Sequence, residues 1–380
     1  MSLGVYVHFP YCRSKCPYCD FAVHVVREIP HVAYADAVLQ ELSLRAEAFA
    51  GLGPLRSVFF GGGTPSLWDP RQIERVLRAV GDRFPARLPL EVTVECNPDD
   101  LDSQGFANLR AAGVTRASIG VQSFDGAVLR GLGRRHDGLT AERAIAAALG
   151  AGFASVAVDL IHGGVGHTPS LAARDASLAV QSGVQHVSNY GLTLDELAVD
   201  VPLSKWVREG RVQVPDADGQ ADLGQAARAA LVAGGLERYE ISNFARPGAM
   251  SRHNLGYWAG EPYLGLGVGA YGATPVERYG NPRGVAAYLG PLTQGTLPIG
   301  ERDPLTVDAR FRERVFLGLR LVRGLSLGAL ALEFGDAAVA RLRASAGPFV
   351  RMGMVVLEVD ALRLTEAGLD LHSELAVRLL

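Results

Sequence analysis

Three cysteines within eight positions, Cys12, Cys16 and Cys19, are the residues of this chain best suited to metal or redox chemistry. They stand in Tyr6-Val-His-Phe-Pro-Tyr-Cys12-Arg-Ser-Lys-Cys16-Pro-Tyr-Cys19-Asp-Phe21, with three and then two residues between them. Thiolates so spaced can wrap one cubic [4Fe-4S] cluster from a single loop, holding all but one of its irons. The remaining iron stays open, and an open metal position is what chemistry on a bound molecule requires. Structural zinc would need a further ligand and a second short-spaced pair, whereas the one other cysteine, Cys96, stands alone. A disulfide framework fits no better, because the spacing is tight and leaves an odd thiol.

Other candidates stand where apolar runs end. Phe60-Gly61-Gly62-Gly63-Thr64-Pro65 follows one run; glycines there let backbone groups approach a ligand with no Cβ in the way, although a tight turn uses the same residues. Glu95 and Gln122 each end a later run, Arg134 lies just beyond in Leu132-Gly133-Arg134-Arg135-His136, and Asp159 sits in Val158-Asp159-Leu160-Ile161. Charges at the ends of apolar strands are costly unless a ligand or partner meets them. Arg134 can grip a carboxylate as a planar fork, and Glu95 and Asp159 can accept from an amine or hydroxyl. An internal arginine–carboxylate pair is the competing reading. His253-Asn254-Leu255-Gly256-Tyr257-Trp258 joins an iron-ligand type to aromatic surface; by spacing alone, such a histidine reads as packing. His8, His136 and His162 compete with it without comparable context.

These residues need a scaffold that gathers strand ends. The first half alternates short apolar runs with amphipathic stretches, which predicts parallel β/α units. Strands are expected at Val5–His8, Ser57–Phe60, Leu90–Glu95, Ala117–Val121, Ser155–Ile161 and His186–Tyr190. Helices are expected at Ala33–Ala50, Pro70–Phe84, Ser103–Ala112, Thr140–Ala151 and Ser170–Ser182, and Asp69 before Pro70 is good helix-start chemistry. Six such units fall short of the eight of a closed barrel. The expected fold is therefore α/β, a partial (β/α)6 TIM-like barrel with a lateral opening for a bulky substrate. Past Val201 the pattern weakens to a helix at Asp218–Gly234, a strand at Tyr239–Ser242, a Gly-rich apolar stretch at Tyr263–Gly272 and a linker at Gly290–Pro304. The tail reads as helices at Val307–Val322, Leu327–Phe334 and Ala337–Gly347, a hairpin at Val355–Leu364 and a helix at Glu366–Leu379, a winged-helix-like α+β pattern. The expected division is 1–200 for the barrel, 201–297 for an extension carrying the histidine motif, and 298–380 for the C-terminal domain.

Composition narrows the function classes. With 48% hydrophobic and 20% charged residues the chain can build a large core. A net charge of −3 argues against a nucleic-acid binder, and the C-terminal hairpin carries Glu358 and Asp360 instead of a basic stripe. Met1–Phe9 lacks the basic region of a signal peptide, and no apolar run approaches a membrane span. A cytoplasmic chain is expected, in a compartment where clustered cysteines bind metal. Peripheral membrane contact and a homodimer are compatible with the sequence, and neither is read from it.

Taken together, these motifs resemble the radical S-adenosylmethionine (SAM) superfamily, and within it the group of oxygen-independent coproporphyrinogen III oxidases and their heme-chaperone relatives. The resemblance runs from Tyr6 to about Tyr271, more loosely beyond. In this group the residue six before the first cysteine is tyrosine, here Tyr6, and the residue before the third is aromatic, here Tyr18. The resemblance implies that the cluster cleaves SAM to methionine and a 5′-deoxyadenosyl radical, with electrons from a donor such as flavodoxin or ferredoxin. It implies SAM contacts at Tyr6, Tyr18, Gly62, Gly63, Thr64, Glu95, Gln122, Arg134 and Asp159, and at Thr193 on the adenine side. Phe21 stands where the oxidases carry a further cysteine, and only five residues precede Tyr6, too few for their N-terminal extension. The His253–Trp258 motif matches the chaperone branch, implying heme binding by His253, Asn254, Tyr257 and Trp258, with His253 as candidate axial ligand. The expected function is binding of heme and its transfer to acceptor proteins. Oxidative decarboxylation of porphyrinogen propionates is the alternative, and a winged-helix regulator a weaker one. Gly163-Gly164-Val165-Gly166-His167-Thr168 departs from the group's Gly-Leu-Pro-x-Gln-Thr, and Cys96 replaces a small residue.

Overall fold

Leu3, Val5, Val7 and Phe9 share one face of the first strand and are wholly buried, while Gly4, Tyr6 and His8 share the other. Phe9 stacks on Trp68 at 5.0 Å and meets Tyr34 of the first helix edge-on, so the apolar face is the one covered by helices. The alternate face points into a barrel. The computed structural model in which this is seen describes residues 1–194 and 199–380. Six parallel strands pair in sequence order: β1 (Leu3–Phe9), β2 (Leu55–Gly62), β3 (Ala86–Cys96), β4 (Arg116–Gln122), β5 (Ser155–His162) and β6 (His186–Gly191). Between them run α1 (His31–Phe49), α2 (Pro70–Arg83), α3 (Ser103–Ala111), α4 (Gly126–Gly131), α5 (Gly138–Gly150) and α6 (Pro169–Gln181). Capping explains the helix starts: Asp69 accepts from Arg71 N ahead of Pro70, and Thr168 from Leu171 N ahead of Pro169. The short α4 is the one helix of this half that the periodicity does not announce.

The chain continues through α7 (Pro202–Arg208), α8 (Ala217–Ala233), β7 (Glu237–Arg238), β8 (Asn243–Ala245), α9 (Arg252–Trp258) and β9 (Tyr263–Leu266). The sheet does not close. Antiparallel β8 and β7 extend it beyond β6, whereas β9 pairs parallel with the free side of β1. Antiparallel β10 (Tyr271–Ala273), β11 (Glu277–Gly280) and β12 (Glu301–Pro304) follow outward from β9, with α10 (Val285–Thr293) between the last two. A second core then forms from α11 (Val307–Gly318), β13 (Leu325–Ser326), α12 (Leu327–Phe334), α13 (Asp336–Arg351), β14 (Val355–Leu357), β15 (Ala361–Leu364), α14 (Glu366–Asp370) and α15 (His372–Leu379). Asp360 of the hairpin accepts from Gly328 N and Ser326 Oγ at the start of α12, so this acidic residue is spent on capping. Among the described residues no helix is long and apolar enough to cross a membrane.

Three sequence expectations need correction. Tyr239–Ser242 is the turn between β7 and β8, not a strand. Its alternating apolar pair serves two different cores, because the Tyr239 hydroxyl reaches His186 of β6 at 2.9 Å while Ile241 packs on the C-terminal core. Gly290–Pro304 is not a plain linker: α10 occupies its start and β12 its end. All four β12 residues are exposed, and charged edge strands of this kind carry no apolar signature. The last helix is broken at Leu371 into α14 and α15.

Candidate functional site

The cysteine loop leaves the C-terminal end of β1 and is strapped to the glycine run of β2. Gly63 N donates to Phe9 O at 2.7 Å and Thr64 N to Tyr11 O at 3.0 Å. Thr64 Oγ1 donates to Cys12 Sγ at 3.3 Å and accepts from Asn97 Nδ2 at 3.1 Å. The glycines are demanded by this packing. A Cβ on Gly63 would lie 2.8 Å from two backbone carbonyls of the loop, and one on Gly62, at φ +108°, would strike the His8 ring. They clear space for the chain itself, and a ligand can then approach backbone that is already bare.

Cys12, Cys16 and Cys19 are free, half-buried and on the wall of one cavity of about 440 Å3. Burial pushes the thiol of Cys19 up to about 11 and that of Cys12 upward, so both need cationic metal to become thiolates. Among the described residues no three His, Cys, Asp or Glu side chains are grouped closely enough to hold a single ion. Cys96 also touches the cavity but is buried, with Sγ turned to Val94 O at 3.6 Å.

Tyr18, Gly62, Gly63, Thr64, Glu95, Gln122, Arg134, Asp159 and Thr193 all line the same cavity. Arg134 is the telling one. Its Nη2 donates to Asn97 Oδ1 at 2.7 Å and Gly120 O at 2.8 Å, its Nη1 lies 3.6 Å from Cys16 Sγ, and its Nε is buried without an acceptor. No carboxylate pairs with it among the described residues, which removes the internal ion-pair reading. Two half-buried carboxyls line the same cavity. Glu95 accepts from Gly62 N at 2.9 Å, and burial followed by the nearness of Asp159 lifts it to about 8. Asp159 accepts from Ser118 at 3.1 Å and is also raised by burial. Gln122 has φ +67°, the one non-glycine in the left-handed region among the described residues, at a register shift between β4 and β5. Such strain persists only where surrounding structure enforces it, and it gathers at binding sites.

Some residues stand elsewhere than expected. Tyr6 is off this cavity: its hydroxyl is 3.0 Å from His8 Nδ1 and its ring stacks on Phe59. Asn254, expected at heme, lines the cysteine cavity instead. His253 is buried at the start of α9, where Glu91 caps the helix by accepting from Arg252 N and His253 N. Both its ring nitrogens are engaged, Nδ1 2.9 Å from Ser57 Oγ and Nε2 2.9 Å from the Tyr257 hydroxyl. Burial lowers its pKa to about 3. The imidazole offered by the sequence as a candidate axial ligand is thus hydrogen-bonded at both nitrogens, packed beside Phe59 and against Tyr257. Asn97, Ser118 and Ser188 were missed by sequence reasoning; Asn97 follows Glu95 by two residues, and that spacing was its signal.

The Radical SAM superfamily profile matches residues 6–177, and that of the HemN C-terminal domain residues 305–371. The "Heme chaperone HemW" of Mycobacterium tuberculosis is 38% identical over 343 residues, covering 89% of this chain and 87% of that one. This chain belongs to the HemW family. The Bacillus subtilis HemW is 30% identical, covering 98% of this chain and 97% of its own, and that of Escherichia coli is 37% identical, covering 71% and 70%. In fold, the E. coli coproporphyrinogen III oxidase HemN superposes with a TM-score of 0.83 at 24% identity, covering 100% of this chain and 90% of that one. As a radical SAM protein, a HemW-family chain carries a [4Fe-4S] cluster and SAM. The residues here fit both, with three thiols from one loop and, on the same cavity wall, an arginine whose buried Nε lacks an acceptor and two carboxyls.

Proposed function

We propose that this protein is a heme chaperone, which binds heme and passes it to acceptor proteins. One observation carries the reading: 38% identity across 89% of the chain with a relative named a heme chaperone. The likeness to the oxidase supports the fold alone. Phe21 adds support, since it leaves no thiol where the oxidases carry one.

Within this reading Cys12, Cys16 and Cys19 hold the cluster. Arg134 takes the SAM carboxylate, and Glu95 with the bare backbone of Gly62 and Gly63 takes its amine. Asp159, Gln122 and Thr193 hold the nucleoside, while Tyr18 and Thr64 shield the cluster side. When bound, cluster and SAM supply one-electron chemistry at the sulfonium. The chain contributes orientation and exclusion of water, and Glu95 gives up a proton when a cation settles against it. Lys15, exposed beside the cysteines, offers a cation to an acidic donor such as flavodoxin or ferredoxin. Anaerobically reconstituted protein should give a Soret band with heme and no coproporphyrinogen decarboxylation in the presence of SAM and strong reductant. Conversion over many cycles would replace the chaperone by the oxidase.

A further inference from the structure

A second chamber of about 690 Å3 lies between the β1–β9–β10 surface and the C-terminal domain. Phe21 lines both chambers, and the Tyr6–His8 pair, against which Gly62 packs, forms part of the wall between them. Tyr257, Tyr263 and Tyr271 give it aromatic walls, Tyr257 meeting Tyr263 edge-to-face at 4.6 Å. Trp258 contributes its indole, with Nε1 buried and without an acceptor among the described residues. The charges are unequal. Of the three glutamates on the wall, Glu261 is paired with Arg56 and Glu313 with Arg278, both arginines outside it. Glu333 alone is left for Arg310 and Arg314, at 2.5 and 3.3 Å, while among the described residues the Arg283 guanidinium meets only the Asp20 carbonyl.

Resting on the chaperone reading, we propose that this chamber is the heme site. The macrocycle lies against the tyrosine walls, and its two propionates are held by Arg310 and Arg314 of α11 with Arg283 at the mouth. A flat apolar ring bearing two carboxylates on one edge fits the lining: Tyr257, Trp258, Tyr263 and Tyr271 supply aromatic surface, Arg310 and Arg314 supply cations, and the volume is within the roughly 300–1,000 Å3 usual for ligand pockets. Arginine binds a carboxylate through paired donors, and each of these keeps N–H groups beyond those given to Glu333. The motif on α9 thereby acquires a role without iron ligation. His253 is a positioning residue that fixes Tyr257 in the heme wall, while Asn254, one residue on, faces the cysteine cavity.

The test titrates full-length protein with iron protoporphyrin IX and with its dimethyl ester, following the Soret band. Wild type should bind the ester about ten- to a hundredfold more weakly, the loss expected of charge-assisted bonds. The variant Arg310→Gln/Arg314→Gln should bind free heme as weakly as wild type binds the ester, and no longer distinguish the two ligands. Equal binding of acid and ester by wild type, or discrimination kept by the variant, overturns the site while leaving the chaperone reading intact. Failure of wild type to bind heme at all would remove that reading and the site with it.

Discussion

The cysteine cavity and the surroundings of His253 share α9, yet they spend their polar groups differently. In the cysteine cavity Arg134 keeps a buried, unpaired Nε, two carboxyls have their pKa raised by desolvation, and a non-glycine residue is held at φ +67°. Around His253 every ring nitrogen has a partner and the packing is aromatic. Unspent hydrogen-bonding capacity and local strain mark the first region as built for a ligand that completes it. The saturated environment of His253 marks a structural joint. Where a motif is tied to a ligand, its residues can therefore divide between contact and support.

The largest effect should come from the cluster ligands. Cys12→Ser, Cys16→Ser and Cys19→Ser should each abolish the iron–sulfur chromophore, whereas Cys96→Ser keeps it, as read by iron and sulfide analysis. A stable cluster in Cys16→Ser would undo the ligand assignment. Next, Arg134→Ala removes a buried charged donor, a loss of about 2–5 kcal/mol at a desolvated contact. SAM affinity should fall by roughly ten- to a thousandfold with the cluster intact; unchanged calorimetric binding would return Arg134 to a structural role.

His253→Ala sharpens the contrast between the regions. Loss of a buried ring and two hydrogen bonds should cost about 2–4 kcal/mol in denaturant unfolding, while the Soret maximum of bound heme stays in place. A shifted Soret band at unchanged stability would make the imidazole an iron ligand after all. A smaller effect concerns pH. Glu95 sits near 8, so at pH 7 it is mostly protonated and must release a proton to meet a cation. SAM affinity should therefore rise as pH increases from 7 to about 8, by up to roughly tenfold per unit, and level off above; a flat profile would place the amine elsewhere. Buried histidines make stability depend on pH as well. His8 and His136 near 4 and His253 near 3 lie below the usual 6.5. The unfolded chain takes up these protons first, so stability is whole above pH 6.5 and is lost as pH falls toward 4, a fall measurable by denaturant melts.

Much of the site was legible because its residues close predicted strands. Glu95, Gln122 and Asp159 follow from apolar runs whose ends must meet at one face of a parallel barrel, and the cysteines from spacing within one loop. What stayed hidden depends on register and on distant partners. Tyr6 shares the inner face of β1 with His8, and only the fold shows that its hydroxyl turns to that ring and away from the cavity. His253 reads as an available ligand until Ser57 and Tyr257 are seen on its two nitrogens. Of the second chamber, the sequence offered only Tyr257 and Trp258, since its other walls come from β9, β10 and the helix α11 of another core.

A heme chaperone must deliver its heme to an acceptor. The direct measurement is the optical spectrum of reconstituted protein carrying stoichiometric heme, recorded before and after addition of an apo-heme protein such as apomyoglobin. The Soret band should move to the acceptor's position faster than heme released by simple dissociation allows. A band that stays with this protein, or moves only at the dissociation rate, would contradict the chaperone reading.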